Sequence, residues 1–165
     1  MMQDLNQIEI DYKTTIKLFN RFKDGGFKNS LTIIAGDSIE NLNETASFIY
    51  NKINSKEIFY MEDISRFKGD HFRQNLKRVF RVNPDIVHIG FLRTKKKSRN
   101  VLELIETGHK VMLIIHSDSI EDIKERIHTY FDEQTLSLFN SNNEILLQRK
   151  SEDKIVTSFE KIGNI

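Results

Sequence analysis

The run Leu31-Thr-Ile-Ile-Ala-Gly36-Asp37-Ser38-Ile-Glu40-Asn41-Leu42-Asn43-Glu44 passes from an apolar strand through a turn into a helix start, the layout of a loop that binds phosphate. Such a loop needs glycines so that consecutive backbone N–H groups can approach phosphate oxygens, a lysine for the β/γ charge, and a hydroxyl for magnesium. Gly36 is the one glycine of the run. Asn41 stands at the second glycine position, Leu42 at the lysine and Asn43 at the hydroxyl. Glu40 and Glu44 add negative charge where phosphate would sit, which repels it. Gly36, Asp37, Ser38, Asn41, Leu42 and Asn43 are therefore read as a degenerate phosphate loop. No cofactor is expected, and ATP with magnesium is expected to bind only weakly.

Elsewhere, His109 and His116 stand seven positions apart, but without a cysteine or a close carboxylate cluster they make a weak metal signal, and no metal site is expected. Glu62 beside Asp63 is an acid at the end of an apolar run, suited equally to chemistry and to a solvated strand end. His88 alternates with apolar neighbours and reads as a satisfied sheet residue. Arg93-Thr-Lys95-Lys96-Lys97-Ser-Arg99 is the one local charge run. Its ordinary reading is a solvated helix start; the alternative is a docking patch formed by Lys95, Lys96, Lys97 and Arg99 for an acidic partner, for anionic lipid or for nucleic acid, the last the weaker choice because no aromatics interleave the cations.

These residues need elements to place them. Tyr12, Ile16, Phe19 and Phe22 share a helical face, with Gly25-Gly26 as a stop. Strand Leu31–Ala35 leads through the loop into a helix marked by Leu42, Ala46, Ile49 and Ile53. Glu57–Met61 reads as a strand; Phe72, Leu76, Val79 and Phe80 mark a helix that stops before Pro84; Asp85–Phe91 reads as a buried parallel strand. A short helix, Ser98–Glu106, leads through Gly108 to the strand Lys110–His116. Ile120, Ile123, Ile127 and Phe131 mark another helix, extended by a turn or two over Glu133–Phe139. Glu144–Lys150 and Ile155–Glu160 then form a hairpin. Alternation of this kind specifies an α/β sandwich whose ligands bind beyond the carboxyl ends of the strands.

The segments Ile58-Phe-Tyr-Met-Glu62-Asp63, Phe72 to Arg93, Glu106-Thr-Gly108-His109 and Ile115-His116-Ser117, in that order, resemble the acidic box, second nucleotide motif and paired-histidine box of the motor ATPases of type II secretion and type IV pilus systems. The resemblance covers roughly Tyr12 to Ile162. It implies a RecA-like P-loop NTPase-type sandwich with a mostly parallel sheet and a C-terminal antiparallel hairpin, residues 1–11 forming a tail and 12–165 a single motor-type domain. It also implies that Glu62, Arg93, His109 and His116 hold the family's site positions, while Phe91 replaces an acid of the second motif. The family activity is ATP hydrolysis. With so many of its groups replaced, the expectation is a catalytically degenerate domain, an assembly or regulatory subunit of a secretion or pilus-like machine. The alternative is an NTPase with a remodelled loop and weak activity. The partners implied are protein subunits of that machine, an active motor ATPase among them.

Composition agrees. A chain of 165 residues can bury roughly 70% of its unfolded surface in one core. Net charge is +1, so there is no global field to hold nucleic acid. Cysteine is absent, which excludes disulfides, thiolate metal sites and a cysteine nucleophile. Neither a signal peptide nor an apolar run of membrane-spanning length is read in the sequence, so the expected location is the cytoplasm, peripheral to the inner membrane through partners.

Overall fold

The computed structural model describes residues 7–23, 31–53, 57–61, 71–90, 95–117, 119–133, 144–152 and 154–161. Its strands are β1 (Gln7–Ile10), β2 (Leu31–Gly36), β3 (Ile58–Met61), β4 (Ile86–Ile89), β5 (Lys110–His116), β6 (Glu144–Ser151) and β7 (Lys154–Lys161). Its helices are α1 (Tyr12–Lys23), α2 (Ile39–Lys52), α3 (His71–Val82), α4 (Lys95–Glu106) and α5 (Ile120–Tyr130). The strands form one sheet in the order β1-β7-β6-β2-β5-β4-β3, parallel throughout except for the antiparallel β6–β7 pair.

The sheet is apolar on both faces. On one, Leu76 and Val79 of α3, Val101, Leu104 and Ile105 of α4, and Ile123 and Ile127 of α5 pack over Ile33, Val87 and Leu113. On the other, Leu18 of α1 and Leu42, Ala46 and Ile49 of α2 cover Ile34, Ile86 and Met112. β2, β5 and β4 thus contribute alternate residues to two cores, which is why they read as continuous apolar runs.

Helix ends follow local chemistry. Asn83 adopts a left-handed φ of 51° just before Pro84 and closes α3 by donating its N–H to Val79 O at 2.8 Å. Gly108, at φ 89°, closes α4: its N–H bonds Ile105 O at 3.0 Å and the N–H of His109 bonds Leu104 O at 2.9 Å, a Schellman pattern. Ser119 caps α5 through the N–H of Asp122 at 3.0 Å.

Four elements differ from the sequence reading. Gln7–Ile10, placed in a tail, forms an edge strand in register with Lys154–Thr157 of β7. α4 begins at Lys95 rather than Ser98, and α2 begins at Ile39. Three of the four residues of the apolar face read on α1 are turned outward: Tyr12, Ile16 and Phe19 are exposed, whereas Phe22 packs half-buried against the core and Thr14, Leu18 and Arg21 are buried. The reason is Arg21, whose guanidinium stacks on Phe159 at 4.6 Å and pairs with Glu144 at 3.4 Å. Lys17 pairs with the same carboxylate and lies 4.7 Å from the same ring. A buried cation with a ready partner sets the rotation of α1 where an apolar stripe was expected to. The Gly25-Gly26 stop and the extension over Glu133–Phe139 lie outside the described residues, apart from Glu133.

Candidate functional site

β2, β5, β4 and β3 run parallel, so Gly36, His116, Ile89 and Met61 end together at one edge of the sheet. Two strand ends are tied there through the backbone: Ser117 N–H donates to Gly36 O at 2.8 Å. Glu62, Phe91 and Arg93 follow directly after β3 and β4 but lie outside the described residues, as do the side chains of Lys95, Lys96 and Lys97.

At the end of β2 only Asp37 and Ser38 separate the strand from α2. The remainder of the expected loop is helix. Ser38 is the N-cap, its side chain accepting the N–H of Asn41 at 3.3 Å while its carbonyl accepts the N–H of Leu42 at 2.9 Å. An amide that would face a phosphate oxygen in an open cradle is therefore engaged by the chain itself. Leu42, fully buried, lies in the core beneath α2. A Cβ on Gly36 would fall 3.0 Å from the Gln148 Cβ and 3.2 Å from Leu42 Cδ2, so the space over this glycine is already filled by protein. The residues present do not fit a magnesium–triphosphate held in the usual way: Leu42 stands at the lysine position, Asn43 offers no hydroxyl, and the Asn41 amide is taken by Ser38.

What fills the space is polar. Gln148 of β6, 4% exposed, donates Nε2–H to Thr45 Oγ1 at 2.6 Å and to the Asn41 carbonyl at 3.4 Å. Its Oε1 has no hydrogen-bond partner among the described residues. On the other side of α2, Asn43 Oδ1 lies 3.2 Å from His88 Nε2, and His88 Nδ1 lies 2.6 Å from the Tyr50 hydroxyl. Because an amide oxygen only accepts, Nε2 carries the proton and Nδ1 accepts from Tyr50. Tyr60, 56% exposed, covers the imidazole with ring centroids 4.9 Å apart. Burial pushes His88 down to about 4 and raises Tyr50, so both are neutral at pH 7. His88 is thus the satisfied sheet residue expected of it.

The two histidines of the paired box do not meet. His109 precedes β5 and His116 ends it, about 23 Å apart at ~3.3 Å per residue. His116 donates Nε2–H to the Asp37 carbonyl at 2.7 Å and so holds the short β2–α2 connection. His109, 6% exposed at the opposite edge, has Nδ1 3.0 Å from Thr107 Oγ1 and its ring edge-on to Phe80; burial lowers its pKa. Among the described residues no three histidine, aspartate or glutamate side chains converge as metal ligands. Asp85 accepts the N–H of Glu57 at 3.1 Å, a structural role at a strand start.

Sequence reasoning missed Thr45, Tyr50 and Gln148. A single polar residue inside Ile145-Leu-Leu-Gln148 was the available signal for Gln148. The early start of α2 was legible too, since Ser38 with Glu40 in the first turn is a helix-start pattern.

Residues 38–153 match the family model described as type II/IV secretion system protein. No curated protein matches. Among solved structures, the ATPase DotB of Legionella pneumophila superposes with a TM-score of 0.60 at 15% identity, over 93% of this chain and 51% of that one. The pilus retraction motor PilT, solved with bound ADP, gives 0.56 at 19% identity, over 79% and 46%. DotB of Yersinia pseudotuberculosis gives 0.56 at 19%, over 87% and 45%. The chain spans about half the length of these structures, and at such identities they establish the fold alone.

Proposed function

The chain belongs to the type II/IV secretion system protein family, and from that premise we propose that it is a catalytically degenerate motor-ATPase-like domain, an assembly or regulatory subunit of a type II secretion or type IV pilus-like machine. One observation carries the reading: α2 begins at Ile39, so helix replaces the phosphate loop, with the Asn41 amide capped by Ser38 and Leu42 in the core at the lysine position. Phosphoryl transfer depends almost wholly on electrostatic positioning of the phosphates, and this chain directs the corresponding groups into its own packing. The retained fold then presents surfaces to other subunits, an active motor ATPase among them, in the cytoplasm and at the inner membrane through those partners. Among the described residues no helix is long and apolar enough to cross a membrane.

Titration with a fluorescent ATP analogue in magnesium, beside a phosphate-release assay, tests this. No saturable binding below millimolar nucleotide and no turnover are expected. Micromolar binding with magnesium-dependent turnover would overturn the reading in favour of an NTPase with a remodelled loop.

A further inference from the structure

The chain is nearly neutral at +1, yet its charge is not evenly spread. α3 carries Arg73, Lys77, Arg78 and Arg81 and no acid. α4 carries Lys95, Lys96, Lys97 and Arg99 against Glu103 and Glu106. These two helices together hold a net +6, which leaves −5 on the remainder of the chain. α3 and α4 lie on the same face of the sheet, and between them runs an open groove of about 520 Å³. Leu76 and Phe80 supply its apolar floor, and Arg73, Lys77 and Arg99 its cationic rim, with Glu103 at one side. Arg73, Lys77 and Phe80 fall at i, i+4 and i+7, so a single stripe of α3 alternates charge with apolar surface. Phe80 is 38% exposed although it also touches His109. Arg99 pairs with Asp132 at 3.8 Å and keeps an 80% exposed side chain.

We propose that the α3–α4 groove is a docking site for an acidic, amphipathic segment of a partner protein, whose apolar residues lie on Leu76 and Phe80 and whose carboxylates meet Arg73, Lys77 and Arg99. Charge complementarity selects the sign of the partner. The apolar floor and concave shape select a peptide, because a helix laid in a groove presents both kinds of group at helical spacing, whereas a lipid surface is flat and a nucleic-acid backbone offers nothing to Leu76. The assembly reading supplies only the kind of partner; the groove stands whether or not the chain binds nucleotide.

The test uses the full chain and a fluorescein-labelled peptide of repeated Leu-Glu-Glu-Leu-Leu-Glu-Glu heptads, with a control of the same composition scrambled to destroy its apolar face. Anisotropy at low and at moderate salt is compared with binding of single-stranded DNA and of phosphatidylglycerol vesicles. The amphipathic peptide is expected to bind at least about tenfold more tightly than the scrambled one and to weaken with salt. Combined Arg73→Glu, Lys77→Glu and Arg99→Glu should weaken it by about tenfold or more with an unchanged melting temperature, as exposed charges contribute little to folding. Phe80→Ser should also weaken it. Lys13→Glu, Lys150→Glu and Lys161→Glu, a matched reversal of exposed cations elsewhere, should leave it intact. Equal binding of the two peptides, equal loss in both triple variants, or tighter binding of DNA or vesicles than of the amphipathic peptide would overturn the proposal.

Discussion

Acidification should destabilise this protein through a residue that carries no charge at pH 7. His88 is 3% exposed, its two ring nitrogens are committed to Tyr50 and Asn43, and Tyr60 covers its face. Burial lowers its pKa from 6.5 to about 4 in the folded state. Below pH 6.5 the unfolded chain therefore binds a proton that the folded chain does not, so the contribution of neutral His88 is fully present above pH 6.5 and is lost as pH falls toward 4. At 1.36 kcal/mol per unit the whole loss is about 3 kcal/mol, most of which falls between pH 7 and pH 4.5. A loss of this size is a substantial fraction of a typical domain's stability of ~5–15 kcal/mol. Urea unfolding of the wild type and of His88→Gln at both pH values isolates the effect, because glutamine does not titrate. Asp11 and Asp122, both held low chiefly by hydrogen bonds, lose stability on acidification equally in the two proteins. The wild type should lose about 2 kcal/mol more than the variant over this interval. Equal losses would refute the assignment of a buried, neutral His88.

Leu42→Lys restores the lysine of a phosphate loop at a site with no exposure; it should cost about 3–5 kcal/mol in urea unfolding and yield no ATP hydrolysis, since Asn41 and Asn43 remain. Gly108→Ala meets nothing within 4 Å, so its cost is that of the 89° φ alone, about 1 kcal/mol by thermal melting, whereas an unchanged melting temperature would contradict the left-handed cap. Glu144→Gln leaves Arg21 buried without its counter-charge and should destabilise the protein by about 2–4 kcal/mol, with Arg21→Met less costly than Glu144→Gln because it removes the buried charge itself.

The sequence by itself determined the alternation of strands and helices, the closing hairpin and the family. Those follow from periodicity and from short collinear motifs, which are local properties of the chain. It also showed that the lysine and second glycine of a phosphate loop are missing. Only the tertiary structure decided what stands in their place. The start of α2 at Ile39 depends on Ser38 capping Asn41, and the filling of the loop depends on Gln148 of β6, more than a hundred residues away, meeting Thr45 of α2. His109 and His116 look like a pair in the sequence because β5 joins them, yet a strand separates its two ends where a helix of that length would bring them closer. The outward face of α1 was decided by Glu144 and Phe159, partners that helical periodicity cannot see. The cationic groove is of the same kind: each helix shows its charges in the sequence, but only their packing on a common face of the sheet makes a single surface of them.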